Sequence, residues 1–229
     1  MTAPAPRGFF VTGTDTGVGK TLVACALLNA FASAGGRVAG MKPVAAGAEL
    51  TAEGLINADV RLLRGASSVT APLALVNPYC FEPAVAPHIA AEQAGVAIDL
   101  ERVAQAFAQL TAIADVVIVE GVGGFCVPLN RDEDAADLAR KLGLPVILVV
   151  GLRLGCLNHA LLTAEAVRAR GLELAGWIVN RIDPAMAVAG ENIRALVERL
   201  AAPLLGEVEF MAEPDAARVA TRLELAPIA

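Results

Sequence analysis

Residues 13–21 read GTDTGVGKT and follow the apolar run Phe9-Phe10-Val11. A strand, a glycine-bearing loop and a Lys-Thr pair opening a helix form the layout of a phosphate-binding loop. The chemistry rests on backbone donors. The N–H groups of Gly17, Val18 and Gly19, and those of Lys20, Thr21 and Leu22 at the helix start, would face phosphate oxygens, whose charge the helix dipole favours. Lys20 would reach the β- and γ-phosphates, and the Thr21 hydroxyl would ligate Mg²⁺. Five residues separate Gly13 from Gly19 where the common loop has four, so Thr14 stands at the place of the first glycine. The plainer alternative is a glycine-rich β–α turn followed by a chance Lys-Thr.

Other polar residues sit where apolar runs stop. Glu120 closes DVVIVE and precedes Gly121-Val122-Gly123-Gly124, the place for an acid that holds Mg²⁺ directly or through water. Lys42 follows a strand and precedes Pro43, so a stiff backbone positions a second cation that would stabilise charge on a transferring group. The plainer alternatives are a surface lysine at Lys42 and a solvated strand-end acid at Glu120. Asp59, on a short helix, reads from the sequence alone as a solvated acid. Asn180 ends another apolar run. His88 and His159 read as structural. The turn Gly155-Cys156-Leu157-Asn158 opens a helix whose free N–H groups suit a carboxylate.

The elements that must place these residues alternate. Strands are expected at Phe9–Thr12, Arg37–Val44, Asp115–Glu120, Pro145–Val150, Leu174–Asn180 and Leu204–Val208. Helices are expected at Lys20–Ala34, Leu55–Arg64, Asp99–Ala114, Ala135–Leu142, Cys156–Arg170 and Glu191–Leu200. The passage NPYCFEPAVAPH is expected to hold no regular element because of its prolines. Strands alternating with helices imply a parallel sheet with right-handed crossovers, an α/β fold of the phosphate-loop NTPase type with helices on both faces. In such sheets ligands bind outside the carboxyl ends of the strands, where the Thr14–Thr21 loop, Lys42, Glu120 and Asn180 all fall.

Composition agrees. The 229 residues are 56% hydrophobic and 4% aromatic, suited to buried parallel strands, and the length suits one domain over residues 1–229. A net charge of -6 with no basic cluster argues against nucleic acid as a partner. No apolar stretch reaches the roughly 18 residues of a membrane span, and the start MTAPAPRG lacks a signal peptide's apolar core. Cys25, Cys80, Cys126 and Cys156 show no metal-type spacing and read as reduced, buried thiols of a cytoplasmic protein.

The segments VTGTDTGVGKT, GMKPVAAG, GLINAD, NPYCFEP with APHIAA, VEGVGG, LPVILVVGLRLGCLNHALLT, LAGWIVN and PLLGEV together resemble the dethiobiotin synthetases, in family order from residue 8 to about residue 210. The resemblance implies an ATP-dependent ligase of biotin synthesis. In that reaction one amine of 7,8-diaminononanoate takes up CO₂ as a carbamate. The carbamate oxygen attacks the γ-phosphate, and the second amine then displaces phosphate to close the cyclic urea, leaving dethiobiotin, ADP and phosphate. Such phosphoryl transfer needs positioning and cations more than covalent help.

By the family pattern, Lys20 and Lys42 are catalytic and flank the carbamate and γ-phosphate. Thr21, Asp59 and Glu120 surround Mg²⁺. Gly17 to Leu22, Asp59, Glu120, Gly121, Val122, Gly123, Asn180, Arg181, Glu209, Phe210 and Met211 form the nucleotide site. Thr16, Lys42, Ala46 and the loop of Gly155, Cys156, Leu157 and Asn158 meet the diamine, the loop reaching across a homodimer to the partner's substrate tail.

Departures fall at Ala46, where some relatives carry a hydroxyl, at Gly17, where a glutamate occurs, and at Glu209, in place of a proline. A rival reading is a partition or cell-division type ATPase switch. Those proteins typically carry a signature lysine where this chain has Asp15, and the tail DAARVATRLELAPIA has only two arginines for a membrane or DNA surface. A cobalamin-type amidoligase would need a glutaminase domain for which the chain has no room.

Overall fold

Each apolar run becomes a strand because neither of its faces meets water. In the computed structural model, which describes residues 8–228, the chain runs β1 (Gly8–Gly13), α1 (Lys20–Ser33), β2 (Val38–Met41), β3 (Val44–Ala46), β4 (Glu49–Thr51), β5 (Gly54–Ile56) and α2 (Ala58–Ala66). There follow α3 (Leu73–Val76), β6 (Tyr79–Phe81), α4 (Pro87–Gln93), α5 (Leu100–Ile113), β7 (Val116–Gly124) and α6 (Ala135–Leu142). The last part is β8 (Val146–Gly151), α7 (Cys156–Ala169), β9 (Leu174–Asn180), α8 (Ala189–Arg199), β10 (Leu204–Val208) and α9 (Ala216–Ala220).

Six strands pair in parallel in the order β10-β9-β8-β1-β7-β2. Alternation along each strand feeds two cores. Phe9 and Val11 of β1, Ile118 of β7 and Ile147 and Val149 of β8 pack with Val23, Leu27 and Leu28 of α1 and Val219 of α9. Phe10, Val117, Val119, Val146, Leu148 and Trp177 pack with Leu110 of α5, Leu138 of α6, Ala160 of α7 and Leu196 of α8 on the other face. Each large side chain taken fully from water contributes about 1.5–3 kcal/mol before entropy is subtracted. Trp177, wholly buried, also gives its indole N–H to the Ala202 carbonyl at 3.1 Å. The expected parallel sheet with helices on both faces is what the chain forms. No helix among the described residues is long and apolar enough to cross a membrane.

The outer rim of β2 is met by side chains and loops rather than by a seventh strand. The Ser68 hydroxyl accepts from the Val38 N–H at 2.8 Å and the Ser67 hydroxyl from the Gly40 N–H at 2.9 Å. The Lys42 N–H finds the Val76 carbonyl at 2.8 Å. At the opposite rim, Glu224 gives its N–H to Leu205 of β10 at 2.8 Å.

Several expectations need correction. The strand expected to run to Val44 breaks after Met41, because Pro43 has no N–H to give a ladder. The proline-rich passage is not irregular: β6 pairs with β3, and α4 begins with Pro87 at its first turn, where a missing N–H costs nothing. Leu55 and Ile56, assigned to a helix, lie in the β4–β5 hairpin, and α2 starts only after Asn57. β7 runs past Glu120 through its glycines to Gly124. The short α9 carries no strong apolar period and was not expected. All four cysteines are free, but Cys126 is exposed and Cys80 half-buried, because the first follows the strand end and the second sits in a short satellite strand. MTAPAPR, most of the start that reads as lacking a signal peptide's apolar core, lies outside the described residues.

Candidate active site

The loop between β1 and α1 takes its shape from two glycines. Gly17 (φ 74°) and Gly19 (φ 92°) are left-handed, a region that side chains resist. A Cβ on Gly19 would also lie 2.1 Å from Asn180 Nδ2. That amide donates to the Val18 carbonyl at 2.9 Å, so Asn180 braces the loop from β9. Val18 itself is buried, its side chain fitted against Gly13 and Gly151. Lys20 opens α1 and folds back, its ammonium donating to the Asp15 carbonyl at 2.9 Å. Burial, and then the nearby charge of Lys42, lower the Lys20 pKa to about 8.

Lys42 comes next, at the carboxyl end of β2. Its backbone is held from both sides, by the Val76 carbonyl and by Asn77 Nδ2, which donates to the Lys42 carbonyl at 2.6 Å. Its side chain is only 5% exposed, and the ammonium lies 2.6 Å from Glu120 Oε1 and 2.9 Å from Asp59 Oδ2. Burial alone would depress its pKa, but the two carboxylates together outweigh that and raise it. Glu120 stands on β7, and the Thr21 hydroxyl donates to its Oε1 at 2.9 Å. Burial raises the Glu120 pKa against the pull of Lys42. Asp59 is pushed up by burial and pulled down further by Lys42, so its carboxyl sits below the ordinary range.

Asn57 places Asp59. Its side chain accepts from the Asp59 N–H at 2.9 Å as the cap of α2, and its Nδ2 donates to the Ala46 and Gly47 carbonyls at 3.0 and 3.2 Å. Sequence reasoning did not single out Asn57, although an Asn directly before a helix is itself a cap signal.

These groups open into one cavity of about 750 Å³. Of the residues expected at the site, Thr16, Gly17, Gly19, Lys20, Thr21, Lys42, Ala46, Asp59, Glu120, Val122 and Gly123 line it. Its far wall is Ala84–Pro87, from the proline-rich passage, with Val127. Buried Glu120 Oε2 has no hydrogen-bond partner, so an oxygen donor is left over beside the Thr21 hydroxyl and Asp59. Mg²⁺ characteristically takes one or two carboxylates and completes its shell with waters and phosphate oxygens, and this hard-oxygen set fits it.

Other anticipated residues lie elsewhere. Gly121 backs onto Phe10, where a Cβ would come to 3.1 Å from the ring, and Leu22 packs beside the α1 core. Arg181 is paired with Glu207 and, at 3.6 Å, with Glu209. Phe210 is half exposed, and Met211 packs toward the α1 side of the sheet. Gly155, Cys156, Leu157 and Asn158 form the start of α7, with Cys156 buried and Asn158 exposed, and do not line the cavity of their own chain. His88 and His159 do not line it either.

Residues 7–218 match a protein family described as an AAA domain. The ATP-dependent dethiobiotin synthetase BioD of Aromatoleum aromaticum is 61% identical over 220 residues, 96% of this chain and 98% of that one. The proteins of the same name from Nitrosospira multiformis and Pseudomonas aeruginosa PAO1 are 56% and 52% identical, over 97% and 96% of this chain and 96% and 97% of theirs. Among solved structures, the MinD cell division protein of Aquifex aeolicus aligns with a TM-score of 0.56 at 17% identity, over 93% of each chain. The cell division protein FtsY of Thermotoga maritima aligns with 0.51 at 20%, over 95% of this chain and 68% of that one. At such identities the likeness is one of fold.

Removing one member of a buried ion pair leaves the other uncompensated, at about 3–5 kcal/mol. Lys42→Met should therefore lower the melting temperature near pH 7.5 by on the order of 10 °C. Glu120 is already raised above its ordinary 4.5, and losing Lys42 raises it further. A carboxyl raised on folding favours the folded state at low pH, so the deficit should be full at neutral pH and shrink as pH falls toward 5. Melting curves at several pH values check this, and a variant as stable as wild type at pH 7.5 would contradict the charged cluster.

Proposed function

We propose how this chain, which belongs to the ATP-dependent dethiobiotin synthetase family, divides its reaction among the residues of the cavity. The observation that carries the reading is the convergence of Lys20, Lys42, Asp59, Glu120 and the Thr21 hydroxyl on one cavity beside a phosphate-loop backbone. The chain is a synthetase that closes the ureido ring of dethiobiotin at the expense of ATP. ATP lies along the loop from Gly17 to Leu22. Thr21, Asp59 and Glu120 hold Mg²⁺, which when bound neutralises developing phosphate charge. Lys20 and Lys42 supply the remaining positive charge around the carbamate oxygen and the γ-phosphate, where preorganised cations stabilise the transition state without moving.

The diamine and CO₂ occupy the part of the cavity lined by Thr16, Lys42 and Ala46. Val122 and Gly123 form the floor on the β7 side. Asn180 acts through the loop it braces. Arg181 and Glu209–Met211 border the base, their ion pairs fixing that rim. The protein acts in the cytoplasm as a homodimer of single-domain chains, residues 1–229. In it the α7 start, Gly155–Asn158, serves the partner's substrate carboxylate with backbone N–H groups. The switch-type alternative has only the fold likeness behind it, whereas relatives matching end to end at above half identity carry the synthetase name.

Purified protein incubated with 7,8-diaminononanoate, bicarbonate and Mg-ATP should yield dethiobiotin by mass spectrometry. ATP hydrolysis that ignores the diamine would instead favour the switch reading.

Glu120→Gln and Asp59→Asn should each move the Mg²⁺ titration of turnover to a higher midpoint. An unchanged midpoint for Asp59→Asn would remove it from the metal set.

Mixing tests the shared site. Lys20→Ala and a bulky replacement at Asn158 should each be poorly active alone. A mixed dimer carries both lesions on one composite site and leaves the other intact, so activity should return on subunit exchange. Activity equal only to the sum of the parents, with exchange verified, would mean that each chain binds its own substrate tail.

A further inference from the structure

The crest of the phosphate loop has little to hold it. Thr14 and Asp15 are half-buried, Thr16 and Gly17 are exposed, and a Cβ on Gly17 would meet nothing within 4 Å. Below the crest the loop is well fixed, by the Thr14 N–H on the Val149 carbonyl at 3.0 Å and by the Asn180 brace under Val18. Between those anchors one side chain reaches across from another strand end. Arg153, two residues beyond β8, places Nη2 2.5 Å from Asp15 Oδ2.

Asp15 is a junction. Its Oδ1 accepts from the Thr16 N–H at 2.7 Å, and its main-chain carbonyl accepts the Lys20 ammonium at 2.9 Å. The guanidinium therefore fixes the carboxylate, the carboxylate fixes the turn at Thr16, and the turn aims the carbonyl that meets Lys20. We propose that Arg153 is a positioning residue for the phosphate loop, acting through Asp15 to keep the crest in the shape that orients Lys20 and presents Thr16 to the cavity.

Two features favour a local role over a general contribution to stability. Both side chains are close to half exposed, at 43% and 47%, where an ion pair adds little to the stability of the whole fold. The pair also joins two segments that the sheet has already brought side by side, since β1 and β8 are neighbours. What it decides is the path of a glycine-containing crest that packing does not fix. A small misplacement of a reacting group costs rate far more than stability.

The inference rests on the reading of Lys20 as a phosphate-loop lysine, and Lys20→Ala run alongside separates the two: if that variant keeps wild-type turnover, the loop reading fails whatever Arg153 does. With Lys20→Ala inactive, Arg153→Gln should lower kcat for ATP-dependent dethiobiotin formation by about 10- to 100-fold. Its melting temperature should stay within about 4 °C of wild type. Arg153→Lys, which keeps a cation in reach, should retain most of the activity. Asp15→Asn combined with Arg153→Gln should be no slower than the slower single variant, because both remove one contact. Wild-type kcat in Arg153→Gln overturns the proposal. So do losses that multiply in the double variant, or a loss of activity that follows a lowered melting temperature in the Gln and Lys variants alike.

Discussion

A buried ammonium sets the terms for this site. Lys42 carries its charge on a side chain only 5% exposed, and such a charge is tolerated only with partners at hydrogen-bond distance. Those partners arrive from separate elements: Glu120 from β7, the strand next to β2, and Asp59 from the first turn of α2. The requirement therefore reaches outward. β2 must end at Met41, α2 must begin at the Asn57 cap, and β7 must carry its only acid at one register position, or the charge is stranded. The same attraction that satisfies Lys42 gathers two carboxylates and the Thr21 hydroxyl into a set able to take a divalent cation.

The rest of the fold supplies rigidity around that cluster. Two apolar layers hold the strands, so the strand ends diverge little and the loops leave them from fixed points. Glycine appears where backbones or amides approach closely. Gly19 gives way to Asn180 and Gly151 to Val18, places where a methyl group would collide, and Gly121 lies tight against Phe10. These are the contacts that let a strand-bound amide and a neighbouring strand shape the loop without touching what enters the cavity.

Much of this was legible in the sequence, and the exceptions have physical causes. Near-continuous apolar runs such as VVIVE and VILVV announce strands covered on both faces, and the Lys-Thr pair after a glycine loop announces the helix start, so the sheet and the loop could be read directly. Lys42, Glu120 and Asn180 were legible as polar ends of apolar strands. Asp59 was not, because an acid on a short helix looks solvated until its partner is known. Its role came from resemblance alone, and the structure then set it beside Lys42. β6 and α4 were hidden by prolines, which forbid interior ladder and helix positions but suit a short satellite strand's flanks and a first helical turn. The Arg153–Asp15 contact spans 138 residues and leaves no periodic or local trace.

The rim of the sheet has a consequence of its own. An edge strand normally presents a row of free donors and acceptors, which invites a second chain to add its own strand. Here the outward donors of Val38, Gly40 and Lys42 are already spoken for by two serine hydroxyls and a carbonyl, and Leu205 at the far rim has an amide of its own chain. The donors with which a neighbouring copy's strand would pair along β2 are thus already occupied. Two serines just after α2, outside the cavity, blunt the exposed edge of a chain more than half hydrophobic, the kind of edge along which chains otherwise aggregate.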